Sequence, residues 1–187
     1  MVPRSRLTLS VLLVFAFASV ASAADVSDLS SRFAVDKGKL RAGQYVWLAE
    51  VEPYEPLVMV VSLSQQLAYV YRYGALVALS TISSGRKGYE TPSGTYSILQ
   101  RKRIHHSNLY DNAPMPFMLR LTWDGVAMHG GELPGHRASH GCIRLPMAFA
   151  RALFAVSQAI QFVIVTHDDV AEGFFDGYLT PALGGDE

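Results

Sequence analysis

The stretch Leu57-Val58-Met59-Val60-Val61-Ser62-Leu63-Ser64-Gln65-Gln66-Leu67-Ala68-Tyr69-Val70-Tyr71-Arg72-Tyr73-Gly74-Ala75-Leu76-Val77-Ala78-Leu79-Ser80-Thr81-Ile82 decides the fold class. It consists of three short runs rich in Val, Leu and Tyr, cut by turns at Ser64-Gln65-Gln66 and Tyr73-Gly74. Runs of this length, bounded by turn residues and enriched in β-branched and aromatic side chains, read as strands. The same pattern recurs at Tyr45 to Ala49, Thr95 to Leu99, Phe117 to Thr122 and Val126 to His129. Asp124-Gly125 is the strongest hairpin signal, because Asp-Gly tolerates two consecutive positive φ angles. One segment changes period. Pro146 to Ser157 spaces Phe149, Leu153, Phe154 and Val156 as one helical face and carries proline at its N-terminal end. A last strand, Phe162 to Val165, is expected after it.

The N-terminus sets a compartment for this mostly-β domain. Arg4 and Arg6 precede the apolar run Leu7 to Val20, and Ala21-Ser22-Ala23 is a small-x-small cleavage signal, so residues 1–23 read as a secretory signal peptide. The run is short for a membrane span. The mature chain is then expected to start at Ala24, to be exported to the periplasm or cell-wall space and to keep no stable membrane anchor. Of 187 residues, 23 belong to that leader and 164 remain, enough for one domain. Without Arg4 and Arg6, 14 basic residues face 16 acidic ones, which gives no sign of a nucleic-acid partner. Arg101-Lys102-Arg103 reads as a solvated strand end or loop. Asp25 to Lys39 reads as a short helix or a loose lead, and the Gly-rich tail from Gly173 as frayed.

Cys142 is the only cysteine, and an unpaired thiol in an oxidising compartment calls for an explanation. It lies in Met128-His129-Gly130-Gly131-Glu132-Leu133-Pro134-Gly135-His136-Arg137-Ala138-Ser139-His140-Gly141-Cys142-Ile143-Arg144-Leu145. A thiol beside an imidazole is a nucleophile with its own base, and the Gly141 and Cys142 amides are placed to face an oxyanion. If His129 lies next to Cys142, the Gly130 carbonyl can take the other ring N–H and fix the tautomer. The same proximity predicts a lowered thiol pKa. The bland alternative is a buried cysteine acting as a small hydrophobe. Arg144 suits a substrate carboxylate or an internal salt bridge, and the two stay open. A zinc site drawn from His129, His136, His140 and Cys142 conflicts with the glycines and proline around them, so no metal and no cofactor is expected. His136 reads as an exposed loop residue, and His105 and His106 as a strand-end pair near the cleft. A papain-like arrangement is disfavoured because His129 precedes Cys142 in the chain.

His129-Gly130 followed by Ser139-His140-Gly141-Cys142-Ile143-Arg144 resembles the signature of the L,D-transpeptidases with a YkuD-type catalytic domain, enzymes that cross-link peptidoglycan. Thr91-Pro92-Ser93-Gly94-Thr95-Tyr96 and Ala113-Pro114-Met115-Pro116-Phe117 extend the resemblance, which runs from about Leu57 to Val165. It implies a single compact β-sandwich or barrel-like catalytic domain over residues 57–167, with one or two short helices, a lead segment over 24–56 and a tail over 168–187. It also implies a Cys142 thioester with a tetrapeptide stem, release of D-alanine, and His129 as base and then acid. Gly130 would orient His129, Gly141 and Cys142 would form the oxyanion hole, and Ser139, His140 and Arg144 would shape the site. Tyr110 reads as a residue lining the cleft or as a rim tyrosine.

Many members have a longer loop between the histidine and the serine, and many have Asn at the position of Arg144, which bears on acceptor choice. No separate wall-binding module is expected in residues 24–56. The acceptor stays open among a stem peptide, a wall-anchored protein, a free amino acid and water; with water the enzyme is an L,D-carboxypeptidase. A wall-binding protein without turnover is the reading from another class.

Overall fold

The computed structural model describes residues 40–52 and 54–170. The expected signal peptide over residues 1–23, the Asp25 to Lys39 lead and the tail from Gly173 lie outside the described residues. Two sheets carry the domain. One has the strands β1 (Tyr45–Trp47), β2 (Leu57–Ser62), β3 (Leu67–Arg72), β4 (Ala75–Thr81), β5 (Gly94–Tyr96) and β10 (Ile160–Thr166), in the order β1-β4-β3-β2-β10-β5. The other has β6 (Gln100–Lys102), β7 (Met118–Arg120), β8 (Ala127–Gly130) and β9 (Ile143–Leu145), in that order. The helix α1 (Met147–Ala155) and a 3₁₀ turn (Ser157–Ala159) complete it. The expected mostly-β fold with one or two short helices is present. Among the described residues no helix is long and apolar enough to cross a membrane.

The quoted stretch forms β2, β3 and β4 in antiparallel register, Val60 opposite Tyr69 and Tyr69 opposite Leu79. Their alternation separates two cores rather than core from water. Met59, Val61, Ala68, Val70 and Val77 join the main core with Leu119, Met128, Ile143 and Leu145 of the second sheet and Phe149 and Leu153 of α1. Val60, Leu67, Tyr69, Tyr71 and Leu79 form a second cluster, which Val170 joins. β1 adds an edge strand from the lead segment, and Trp47 and Tyr45 each pack on Phe149 with ring centres 5.6 Å apart.

Several local expectations are corrected. Two consecutive positive φ angles occur at Tyr73 (φ 49) and Gly74 (φ 82), and again at Asp111 (φ 43) and Asn112 (φ 49), but not at Asp124-Gly125, where only Gly125 is positive. The β7–β8 connection is held wider, because the Leu121 and Thr122 amides both donate to the Val126 carbonyl and the Val126 amide donates to Thr122 Oγ1. The run Thr95 to Leu99 is not one strand. β5 pairs with β10 in one sheet, and after a break β6 pairs with β7 in the other, so the chain changes sheets there. Phe117 has a positive φ of 56°, which delays β7 to Met118. Ile143 to Leu145, outside the runs read as strands, pair in parallel with β8 as β9.

Candidate active site

The site is built on the parallel pair β8–β9, joined by the crossover from Gly131 to Cys142. A parallel pair needs a connection of about a dozen residues or more, and the Gly- and Pro-rich loop supplies it. His129 lies opposite Arg144 and Met128 opposite Ile143. Alternate residues of a strand face opposite sides. Met128, Ile143 and Leu145 therefore enter the main core, while Ala127, His129, Arg144 and, one residue before β9, Cys142 share the other face. On that face Cys142 packs on the small cluster of Met115, Met118 and Ala127. Cys142 stands two residues before Arg144, the partner of His129 across the pair, so the two groups share that face.

His129 is 8% exposed and its Nδ1 lies 2.9 Å from the Gly130 carbonyl. That carbonyl accepts the Nδ1 proton, so Nε2 keeps its lone pair. Burial, the largest effect, holds the imidazole pKa below the ordinary histidine value, and the Gly130 bond opposes it; Arg144 and His105 lower it further. Burial therefore favours the uncharged ring.

Cys142 is half-buried, with Sγ 3.5 Å from the Gly125 carbonyl and accepting from the Ala127 amide. Burial pushes its thiol pKa up, and the Ala127 amide with Arg120 and Arg144 only partly offsets this. The expected lowered thiol pKa is corrected: a desolvated thiol disfavours its own charge. Burial thus works against charge on both groups.

A second layer of hydrogen bonds fixes the turn that carries Cys142. Ser139 is buried, donates its hydroxyl to the Cys142 carbonyl at 2.5 Å and accepts from the Gly141 amide at 3.1 Å. The Gly141 N–H is thus engaged inside the turn, in contrast to its expected place facing an oxyanion. Gly141 itself adopts φ 113°, a conformation that favours glycine. Thr91, also buried, donates to the Gly141 carbonyl at 2.8 Å and accepts the Gly85 amide at 2.9 Å. A Cβ at Gly85 would stand 1.9 Å from the Tyr89 carbonyl oxygen, so this close approach admits only glycine. Ser83 and Arg144 exchange both backbone hydrogen bonds, and the Ala138 and Ser139 amides both donate to Ser84. The segment 83–91 thereby grips the whole nucleophile turn.

At the rim His140 is held between two tyrosines. Tyr110 stacks on it with ring centres 4.5 Å apart, Tyr89 meets it edge-on at 4.9 Å, and the Arg86 guanidinium covers Tyr89 at 4.5 Å. Desolvation first, then Arg86 and Arg144, holds the His140 pKa below the ordinary value. Tyr110 comes from a hairpin-like excursion in which the Phe117, Met115 and Ser107 amides donate to the carbonyls of Arg103, His105 and Ala113. It is a rim tyrosine, 38% exposed. Arg144 has no carboxylate within 4 Å among the described residues, where Arg72–Glu55 is the ion pair found. That leaves the internal salt-bridge reading of Arg144 without support.

Beside the thiol lies a cavity of about 310 Å³ lined in part by His105, Met115, Arg120, Asp124, Gly125 and Ala127. Gly125 and Ala127 are the residues whose backbone touches Sγ. Burial lowers the His105 pKa, with Lys102, Arg120 and His106 adding to it. His105 does reach the cleft, although it lies past β6 rather than at a strand end. Among the described residues no three His, Cys, Asp or Glu side chains converge as a metal site; His136 is exposed and offers only its carbonyl, to Ser83 Oγ. Arg120, Tyr89 and Arg86 were not singled out by the sequence. Arg120 alone had a signal, a charged residue inside an apolar strand.

A family model described as the YkuD L,D-transpeptidase catalytic domain matches residues 56–165. Among solved structures, an L,D-transpeptidase from Mycobacterium tuberculosis H37Rv is similar at 26% identity and TM-score 0.53, over 59% of this chain and 57% of that one. One from Mycobacterium smegmatis is similar at 23% identity and TM-score 0.54, over 59% and 58%. One from Stackebrandtia nassauensis is similar at 20% identity and TM-score 0.54, over 74% and 64%. The chain thus spans less than two thirds of the length of these structures. No curated protein sequence matches.

Proposed function

The chain belongs to the YkuD L,D-transpeptidase catalytic-domain family, and from that premise we propose that it transfers the acyl group of a peptidoglycan tetrapeptide stem through a Cys142 thioester. The observation that carries this reading is the placement of Cys142, His129 and Arg144 on one face of β8–β9, with His129 Nδ1 on the Gly130 carbonyl. Nε2 takes the thiol proton as Sγ bonds to the carbonyl carbon at the L-centre of the penultimate stem residue. The oxyanion that forms meets the Cys142 N–H, since the Gly141 N–H is engaged by Ser139. Collapse breaks the C–N bond to D-alanine, whose amine leaves with the proton from Nε2. An acceptor amine then attacks the thioester, gives its proton to Nε2 and returns the thiol.

Each resting feature has a use in this sequence. A neutral thiol resists oxidation in an exported protein, and a neutral imidazole with a fixed tautomer is ready to accept a proton. Arg144 and Arg120 both act electrostatically on the thiol, and their forks suit carboxylates of the donor stem. The 310 Å³ cavity gives one substrate strand room beside Sγ. Residues 1–23 serve as a signal peptide in this reading, and the protein works in the periplasm or cell-wall space.

Incubating the purified chain from Ala24 with disaccharide-tetrapeptide and following the products by mass spectrometry tests the proposal. A cross-linked dimer with free D-alanine is expected. Tripeptide alone assigns the L,D-carboxypeptidase reaction instead, and binding without any product assigns a wall-binding role.

A further inference from the structure

A second cavity, of about 410 Å³, shares no lining residue with the one beside the thiol. Arg101 of β6, Arg103 beyond it, Phe117 ahead of β7, and Arg151 and Phe154 of α1 line it. The guanidinium carbons of Arg103 and Arg151 stand 5.9 and 5.7 Å from the centre of the Phe117 ring, so two cations share one ring. Phe117 in turn packs on Phe154 at 5.9 Å, and Arg101 is fixed by donating from Nη2 to the Ser157 carbonyl at 3.0 Å.

A surface arginine resting on a ring needs no ligand, since cation–π contact at an exposed site is worth about 0.5–1 kcal/mol. Three arginines around one cavity need more explanation. Among the described residues none of them has a carboxylate within 4 Å. The chain as a whole carries 16 basic and 16 acidic residues, so the cluster is a local excess and not a consequence of basic composition. Like charges gathered without counter-charges repel one another and focus a positive potential into the concavity.

We propose that this cavity binds a phosphate ester with an apolar organic group. Guanidinium forks pair with carboxylates or phosphates. A carboxylate presents two oxygens and one negative charge, which one fork can satisfy. A phosphoryl group brings three acceptor oxygens and a charge of about −1.5 to −2, which matches three guanidiniums. The exposed parts of Phe117 and Phe154 supply the surface that an apolar ester group covers.

Titration of the purified protein with phenyl phosphate, inorganic phosphate and benzoate, followed by calorimetry and amide NMR, tests this. Saturable binding of phenyl phosphate is expected, at least tenfold tighter than either of the others and weakened by added salt. Arg103→Gln/Arg151→Gln should weaken it at least tenfold while leaving the rate of Cys142 alkylation unchanged. Arg103→Lys/Arg151→Lys keeps the charge but not the forks and should recover only part of the affinity, which provides a second variant if the glutamines harm folding. Equal affinity for inorganic phosphate would refute the ester assignment, and equal affinity for benzoate would refute the phosphate assignment. Unchanged binding in the double variants would refute the site. None of these readouts depends on turnover, so they stand apart from the acyl-transfer reading.

Discussion

The two faces of the β8–β9 pair make opposite use of neighbouring residues. Met128, Ile143 and Leu145 face the main core and are at most 1% exposed. Ala127, His129, Cys142 and Arg144 face the other way, and Ala127 there lines the 310 Å³ cavity. A shift of one residue in register would exchange the two sets. The apolar face therefore fixes where the thiol and the imidazole stand, because the core accepts only one register. Stability and chemistry are interleaved residue by residue, and substitutions on the two faces should separate them.

The largest separation is expected at Cys142. Cys142→Ala should remove turnover by several orders of magnitude, as loss of a nucleophile does in comparable sites. Its thermal midpoint should stay within a few degrees of wild type. Residual turnover near wild type in steady-state assays would contradict the cysteine mechanism.

His129→Gln should lower kcat/KM by about 10²–10⁴-fold, the usual contribution of a general base. Because its folded pKa is depressed, mainly by burial, His129 stays neutral as pH falls below the ordinary histidine value. The acid limb of kcat/KM should therefore lie below about 6.5. The linkage sign is the same for stability. The unfolded chain takes up the proton first, so the folded protein loses stability as pH falls through the unfolded value toward the folded one. A pH–rate profile with its acid limb above 6.5 would contradict the buried neutral base.

On the core face, Ile143→Ala should cost about 2–5 kcal/mol of stability through the cavity it leaves. Turnover per folded molecule should fall far less than in Cys142→Ala. Urea denaturation combined with active-site titration measures both, and a pure activity defect without loss of stability would break the proposed division between the faces.

Thr91→Val should be milder, at about 1–3 kcal/mol, because the buried Gly85 amide and Gly141 carbonyl each lose a partner. Part of that effect should appear as slower Cys142 acylation, since Thr91 holds the turn before the nucleophile. The smallest effect is a shift along the pH axis. Burial raises the thiol pKa, so iodoacetamide labelling of resting wild type should reach half its maximal rate above the pH of an ordinary thiol, about 8.5. Rapid labelling at neutral pH would mean that the resting pair is ionised.

The strands of the 57–82 stretch were readable because apolar alternation and turn residues agree along it, and α1 because four apolar residues share one face at helical spacing. The candidate nucleophile and base were readable from Cys142 as the lone thiol and from His129-Gly130 before it. Tyr73-Gly74 and Asp124-Gly125 illustrate what was not readable. Local chemistry favours the tight turn at Asp124-Gly125, yet the Thr122 hydroxyl and the Val126 carbonyl hold that connection open beside Sγ.

The sequence by itself determined the mostly-β class and the position of the helix and singled out Cys142 and His129 as the candidate pair, because these rest on side-chain type and spacing within short windows. Only the tertiary structure decided that the Gly141 amide is engaged by Ser139, that burial raises the Cys142 thiol pKa against the pull of Arg120, that Thr91 holds the Gly141 carbonyl, and that Tyr89 and Arg86 build the rim around His140. Those properties depend on desolvation and on hydrogen bonds between segments far apart in the chain. Both arise when the two sheets close on their shared core.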